Sequence, residues 1–180
     1  MITLAIAIGR PEPGEYAAFY QNYIAGVEGN DILATLDEQR RQMLLLLSGR
    51  SESDGDIRYA PGKWTVKEVI GHLCDCERIM SYRALRIARG DSTPLAGFDE
   101  NSFVANAPFA LQPLADLIED FIAVRRATLS LFRNLDETGW RRRGVANDNE
   151  VTVRALAYIV AGHELHHRRM LQEKYLKEIL

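Results

Sequence analysis

Three of the four histidines in this chain stand within five residues, in Ala161-Gly162-His163-Glu164-Leu165-His166-His167, and the fourth, His72, lies about ninety residues upstream. A neutral imidazole offers a nitrogen lone pair near physiological pH, which makes histidine the commonest side-chain metal ligand. His163 and His167 are four apart, so on a helix they stand one turn above each other on one face. That is chelating geometry. His72 sits inside Val69-Ile70-Gly71-His72-Leu73, and His163 follows Tyr158-Ile159-Val160-Ala161-Gly162. Both stretches are apolar, and an imidazole placed near a core needs a partner. Three imidazoles from two helices sharing one cation would meet that need, and the interior of a helix bundle is where such sites are built. The chain is therefore expected to hold a metal ion through His72, His163 and His167.

His166 is adjacent to His167, and neighbouring side chains on a helix diverge by about 100°. It cannot converge well with the other two and is read as lining a pocket or facing solvent. Asp75, one turn after His72, is a candidate to complete the ion's shell or to orient an imidazole. Glu77 and Arg78 are expected to point away from the His72 face into ion pairs. The run His163 to His167 also satisfies H-E-x-x-H, in which the glutamate of a zinc protease serves as general base. Such a protease needs a third ligand, commonly well downstream, and a sheet beside its cleft. Only 13 residues follow His167, continuing the same helix. Glu164 is accordingly read as a carboxylate supporting the site or facing the surface, not as a proton abstractor. Three protein ligands leave coordination positions open for water or substrate, as catalysis requires.

The elements that must position these residues are helical. Tyr16, Phe19, Tyr20 and Tyr23 form a helical stripe between Glu15 and Ala25, read as a packing face. Asn30 or Asp31 caps a helix whose apolar positions run from Ile32 to Leu47. Thr65 and Glu68 form a capping box that opens a helix to about Arg89 carrying His72. Leu114 to Leu135 is a third amphipathic helix, and Val151 leads into a last one that runs to about Tyr175. The expectation is all-α: four long helices and a short N-terminal one, in a bundle with long crossover connections. No strand alternation is legible after residue 10. Met1 to Gly9 reads as a short strand or an ordered arm. The connection from Asp91 to Pro113 is the longest, with at most a short turn near Glu100 to Asn106, and its length suits a functional loop or a crossover.

At 180 residues, 47% hydrophobic and 26% charged, the chain fits a single globular domain spanning 1–180. A net charge of −3 argues against nucleic acid or an anionic membrane as partner. No apolar run is long enough to cross a bilayer. Met1 to Ile8 lacks the basic start and cleavage site of a secretion signal, so a cytoplasmic protein is expected. Cys74 and Cys76, two apart on a helix, point to nearly opposite sides and are read as buried thiols.

Lys63-Trp64-Thr65-Val66-Lys67-Glu68-Val69-Ile70-Gly71-His72-Leu73, with Asp75-x-Glu77-Arg78-Ile79 and Arg83-Ala84-Leu85 after it, resembles the second helix of the DinB-like (DinB/YfiT) superfamily. Ala161 to His167 resembles that family's last helix. The similarity extends to Glu15-Tyr16 and Tyr20 and to Gly97-Phe98-Asp99-Glu100. It implies a four-helix bundle of unusual connectivity and a divalent metal, typically zinc or nickel. His72 matches the family's single histidine, and His163 and His167 match its H-x-x-x-H pair. Some members transfer low-molecular-weight thiols, others look like hydrolases, and dimers are common. A homodimer is also expected from the aromatic N-terminal segment, which carries more aromatic surface than a short helix can bury on itself. The expected function is a metal-dependent thiol transferase or hydrolase acting on a small molecule. The competing class is a non-catalytic metal- or ligand-binding bundle of a stress response.

Overall fold

The computed structural model describes residues 8–176. The expected strand or arm at Met1 to Gly9 lies almost wholly outside the described residues. Four long helices make the body: α2 (Ile32–Leu47), α4 (Val66–Ala88), α6 (Leu114–Arg133) and α8 (Val153–Met170). Between and before them come α1 (Gln21–Gly26), α3 (Glu52–Gly55), α5 (Glu100–Asn106) and α7 (Glu137–Arg141). The expected aromatic helix is shorter than its stripe, because Ala18–Tyr20 forms a 3-10 turn ahead of α1.

The caps fall where the sequence places them. The Asp31 carboxylate accepts from the Ala34 amide at 3.0 Å. The Glu68 amide donates to Thr65 Oγ1 at 3.1 Å while the Thr65 amide donates to Glu68 Oε2 at 2.7 Å, satisfying two orphan donors at the start of α4. Such caps contribute about 1 kcal/mol each.

Packing around the bundle sets the connectivity. α4 packs on α6 and α8, and α2 packs on the same two helices. Hence α2 and α4 are diagonal, as are α6 and α8. The crossovers are therefore the segments 48–65 and 134–152. The longest connection, 89–113, joins neighbours, and its role is different: it shapes the cavity described below.

Two apolar clusters fill the interior. One gathers Leu36, Ala84, Phe132, Trp140 and Tyr158; the other gathers Met43, Ile70, Leu117, Phe121 and Leu171. A polar brace touches all four long helices. Arg125 of α6 donates to both carboxylate oxygens of Glu77 on α4 at 2.8–3.0 Å and to the Leu36 carbonyl of α2 at 3.0 Å. Gln39 of α2 accepts from Arg125 at 3.3 Å and donates to the Ala161 carbonyl of α8 at 2.8 Å. The expected ion pairing of Glu77 is present, but inward: Glu77 and Arg125 are both buried. Arg78 pairs outward with Asp120.

The expectation of no strand after residue 10 is corrected by a hairpin. β1 (Arg143–Ala146) pairs antiparallel with β2 (Asn149–Thr152). Its two-residue turn, Asn147-Asp148, has positive φ at both positions, 51° and 58°, the twist that suits a tight hairpin and that Asn and Asp tolerate best. Leu95 lies beside Ala146, its amide donating to the Val145 carbonyl at 2.9 Å. Arg143-Gly144-Val145-Ala146 and Asn149-Glu150-Val151-Thr152 do not alternate apolar with polar residues, and their pairing is visible only in three dimensions. The last helix accordingly starts at Val153, with Thr152 capping it at the Ala155 amide. It ends in a π turn over Leu171–Tyr175.

Candidate functional site

His72 enters from α4, and His163 and His167 enter from α8, which lies against it. His163 Nε2 lies 3.0 Å from His72 Nε2 and 3.1 Å from His167 Nε2. The three donor atoms all fall within 4.8 Å of one another. A ring nitrogen makes one in-plane hydrogen bond, as donor or as acceptor. The two contacts at His163 Nε2 therefore cannot both be hydrogen bonds, and one of them sets like against like. A cation accepting all three lone pairs removes the conflict.

The rings are also kept neutral, as ligands must be. Burial pushes His72 down to about 4. Burial, then the neighbouring His72 and His166, pushes His167 down to about 3. Burial and the neighbouring imidazoles hold His163 well below the usual histidine range. His167 Nδ1 is buried without a hydrogen-bond partner. The donor set fits a divalent ion.

The surroundings sort the remaining candidates. His166 is exposed and stands edge-on to Tyr23, with ring centroids 5.5 Å apart; it is outside the cluster. Asp75 does not reach the imidazoles. Its nearest cation is Arg78 at 3.7 Å, and burial raises its pKa. Three helical residues rotate by about 300° and four by about 400°, so the side chain one turn on that stays beside His72 is Cys76. Its Sγ lies 3.6 Å from His72 Nδ1. Both cysteines are buried thiols, as expected; the contact of Cys76 with His72 is an addition, signalled by their spacing of four.

Glu164 is 1% exposed and accepts from Arg168 Nε at 2.8 Å, while its other oxygen has no partner. It faces the cavity beside His163 as the carboxylate of an ion pair. Trp64 covers His72, with ring centroids 4.7 Å apart.

A cavity of about 350 Å³ opens beside His163 and Cys76. α1 forms one wall. It comes so close to α8 that a Cβ on Gly162 would stand 2.2 Å from the Tyr23 carbonyl oxygen, so the glycine permits the approach. Tyr23 thereby meets His163 edge-on at 5.7 Å. The aromatic stripe read as a packing face is thus largely a cavity wall: Phe19, Tyr20 and Tyr23 all line it. The opposite rim comes from Phe98 and Glu100 of the long connection and Asn147 of the hairpin turn. A Cβ on Gly97 would stand 2.1 Å from Asn147 Oδ1, so this rim also closes through a glycine.

Among curated proteins none matches the sequence significantly. Three solved chains do match. One is YfiT from Bacillus subtilis, described as a probable metal-dependent hydrolase with an unusual four-helix bundle topology. It is 20% identical, with a TM-score of 0.69, over 91% of this chain and 95% of that one. The likeness is one of fold, and the crossed connectivity above accords with it. The family profile of the DinB superfamily matches residues 35–171, a span that contains all three clustered histidines. The chain belongs to the DinB superfamily.

Proposed function

We propose that this protein is a divalent-metal-dependent enzyme, a hydrolase or a thiol transferase, acting on a small molecule in the cytoplasm. The observation that carries the reading is a three-imidazole donor set beside an aromatic-walled cavity of about 350 Å³. A purely structural ion needs no such chamber and is usually held by four protein ligands. The similarity to YfiT, a probable metal-dependent hydrolase, supports the same class.

His72, His163 and His167 would hold the ion, zinc or nickel suiting an all-imidazole set. Bound there, it would supply Lewis acidity and lower the pKa of a coordinated water or thiol. The chain's own residues do the rest. Tyr20 and Tyr23 confine the substrate and exclude bulk water. The Glu77–Arg125 pair fixes α4 against α6 close to the cavity, so that His72 is held by a braced helix. Cys76 contributes a protonated thiol, since burial raises it to about 12.

The test is metal analysis of protein purified without a histidine tag, followed by turnover assays with ester, amide and thiol-plus-electrophile substrates. One equivalent of metal with turnover supports the enzyme. One equivalent with none across those classes favours the binding module.

A further inference from the structure

Four cationic side chains are buried among the described residues: Lys67, Arg83, Arg125 and Arg168. Three meet carboxylates. Lys67 pairs with Glu52 and Asp56, Arg125 with Glu77 and Arg168 with Glu164. Arg83 is 3% exposed and meets none. Its Nη2 donates to the Ala96 carbonyl at 2.6 Å, and its Nη1 has the Met80 sulfur at 3.6 Å. The guanidinium also lies 5.7 Å from the centre of the Phe98 ring. Guanidinium carries five donors and stays charged in proteins. A buried charge left without a counter-ion is costly. Arg83 lines the same cavity as His163.

The placement is ordered along one helix. His72, Cys76, Met80 and Arg83 follow spacings of four, four and three on α4, one continuous stripe. Arg83 lies eleven residues beyond His72, about 16 Å along the axis. Of the other carboxylates lining the cavity, Glu77 and Glu164 are taken by Arg125 and Arg168. Glu100 is exposed and makes no ion pair with Arg83.

We propose that Arg83 is the anion-recognition residue of this cavity: it receives the carboxylate or phosphate of a small molecule whose apolar body lies along the aromatic wall. On the reading of the three-histidine site given above, the other end of that molecule reaches the imidazoles. The substrate class is thereby narrowed to small organic acids or phosphate esters with an apolar or aromatic portion. Arg83 sets specificity and position.

The test is calorimetric binding of phenylacetate, benzylphosphonate and the neutral phenylacetamide to metal-free and to zinc-loaded protein. Metal-free wild type should bind one of the anions at least about tenfold tighter than the amide, since a hydrogen bond to a charged group is worth roughly that. Whether phenylacetate or benzylphosphonate wins tells a carboxylate from a phosphate substrate. Arg83→Met should abolish the preference and Arg83→Lys should keep part of it, the melting curve of each variant showing that it is folded. Should Arg83→Met not fold, the Arg83 Nε–H resonance of wild type decides: it should shift with the anion and not with the amide. A preference that survives Arg83→Met, an absent preference, or one present only in zinc-loaded protein would overturn the proposal. The last outcome places the anion on the metal. A chain that shows the preference but binds no metal refutes the enzyme reading and leaves the role of Arg83 standing.

Discussion

At the scale of single residues, the site divides into donors that share one point and neighbours that do not. Nε2 atoms 3.0 and 3.1 Å apart give His72, His163 and His167 interlocking roles, and a three-ligand site has little redundancy. We expect His72→Ala, His163→Ala and His167→Ala each to lower metal affinity on the order of a hundredfold or more, while His166→Ala leaves it within about twofold. The check is the metal-to-protein ratio after equilibrium dialysis. Equal loss in the His166 variant would overturn the ligand assignment. Asp75→Asn should likewise leave metal content unchanged, because its carboxylate is turned toward Arg78.

At the scale of elements, two contacts hold the site in register. The first is the brace of Arg125, Glu77 and Gln39, which bonds to all four long helices. Removing one partner of a buried pair leaves the other charged and unpaired, at a cost of about 3–5 kcal/mol. Arg125→Met should therefore destabilise the bundle by that order in urea unfolding. The double variant with Glu77→Leu should recover most of the loss. If the double variant is as unstable as the sum of the single ones, the pair is not coupled. The second contact is α1 against α8 at Gly162. Gly162→Ala would press a methyl into the Tyr23 backbone. Overpacking of this kind costs typically 1–3 kcal/mol and should move Tyr23 off His163, widening the cavity. The expected signature is a lowered melting temperature together with weaker binding of an aromatic probe.

At the scale of the whole molecule, stability is tied to pH through a clamp at the chain's N-terminal side. Glu15 is buried and accepts from Arg154 Nε at 2.7 Å and from the Thr152 hydroxyl at 2.9 Å. Burial by itself raises its pKa. The hydrogen bonds from Arg154 and Thr152 outweigh burial, and the net shift is downward from 4.5. A depressed carboxyl contributes stability that is fully present above the unfolded value and is lost as pH falls through the folded one. The urea midpoint of wild type should thus drop below pH ~4.5, and Glu15→Gln should lower the neutral-pH midpoint and flatten that acid limb. An unchanged limb in the variant would show that other groups carry it. Metal is the second lever. Chelation at neutral pH should lower the melting temperature without dissolving the bundle, because the two apolar clusters remain. We propose that the homodimer expected from the aromatic segment forms through this face, where Phe19 is 58% exposed beside α1. Light scattering should then give twice the chain mass, and Phe19→Ser should shift it toward the monomer. Among the described residues no helix is long and apolar enough to cross a membrane.

Whatever depends on local spacing is legible in the sequence. Four apolar stripes of helical period, the caps at Asp31 and Thr65 and the pairing of His163 with His167 one turn apart are fixed by backbone geometry, and the all-α bundle followed from them. Sequence also singled out His72 through its apolar setting and its resemblance to the DinB superfamily. Tertiary structure decided whatever joins residues distant in the chain. Which connections cross the bundle depends on how four stripes share one interior, and loop length misleads there: the longest loop joins neighbours. The hairpin at Asn147-Asp148 is not legible in the sequence, because its strands gain their partners and burial only after folding. Asp75 and Cys76 are adjacent in the chain, and the helical spacing of four already puts the cysteine beside His72; the docking of α4 on α8 is what brings His163 and His167 to the same imidazole. Nothing in the spacing of Arg83-Ala84-Leu85 marks Arg83 as buried. Burial and missing counter-charge are properties of the assembled core, since they depend on what every other helix brings to the same place.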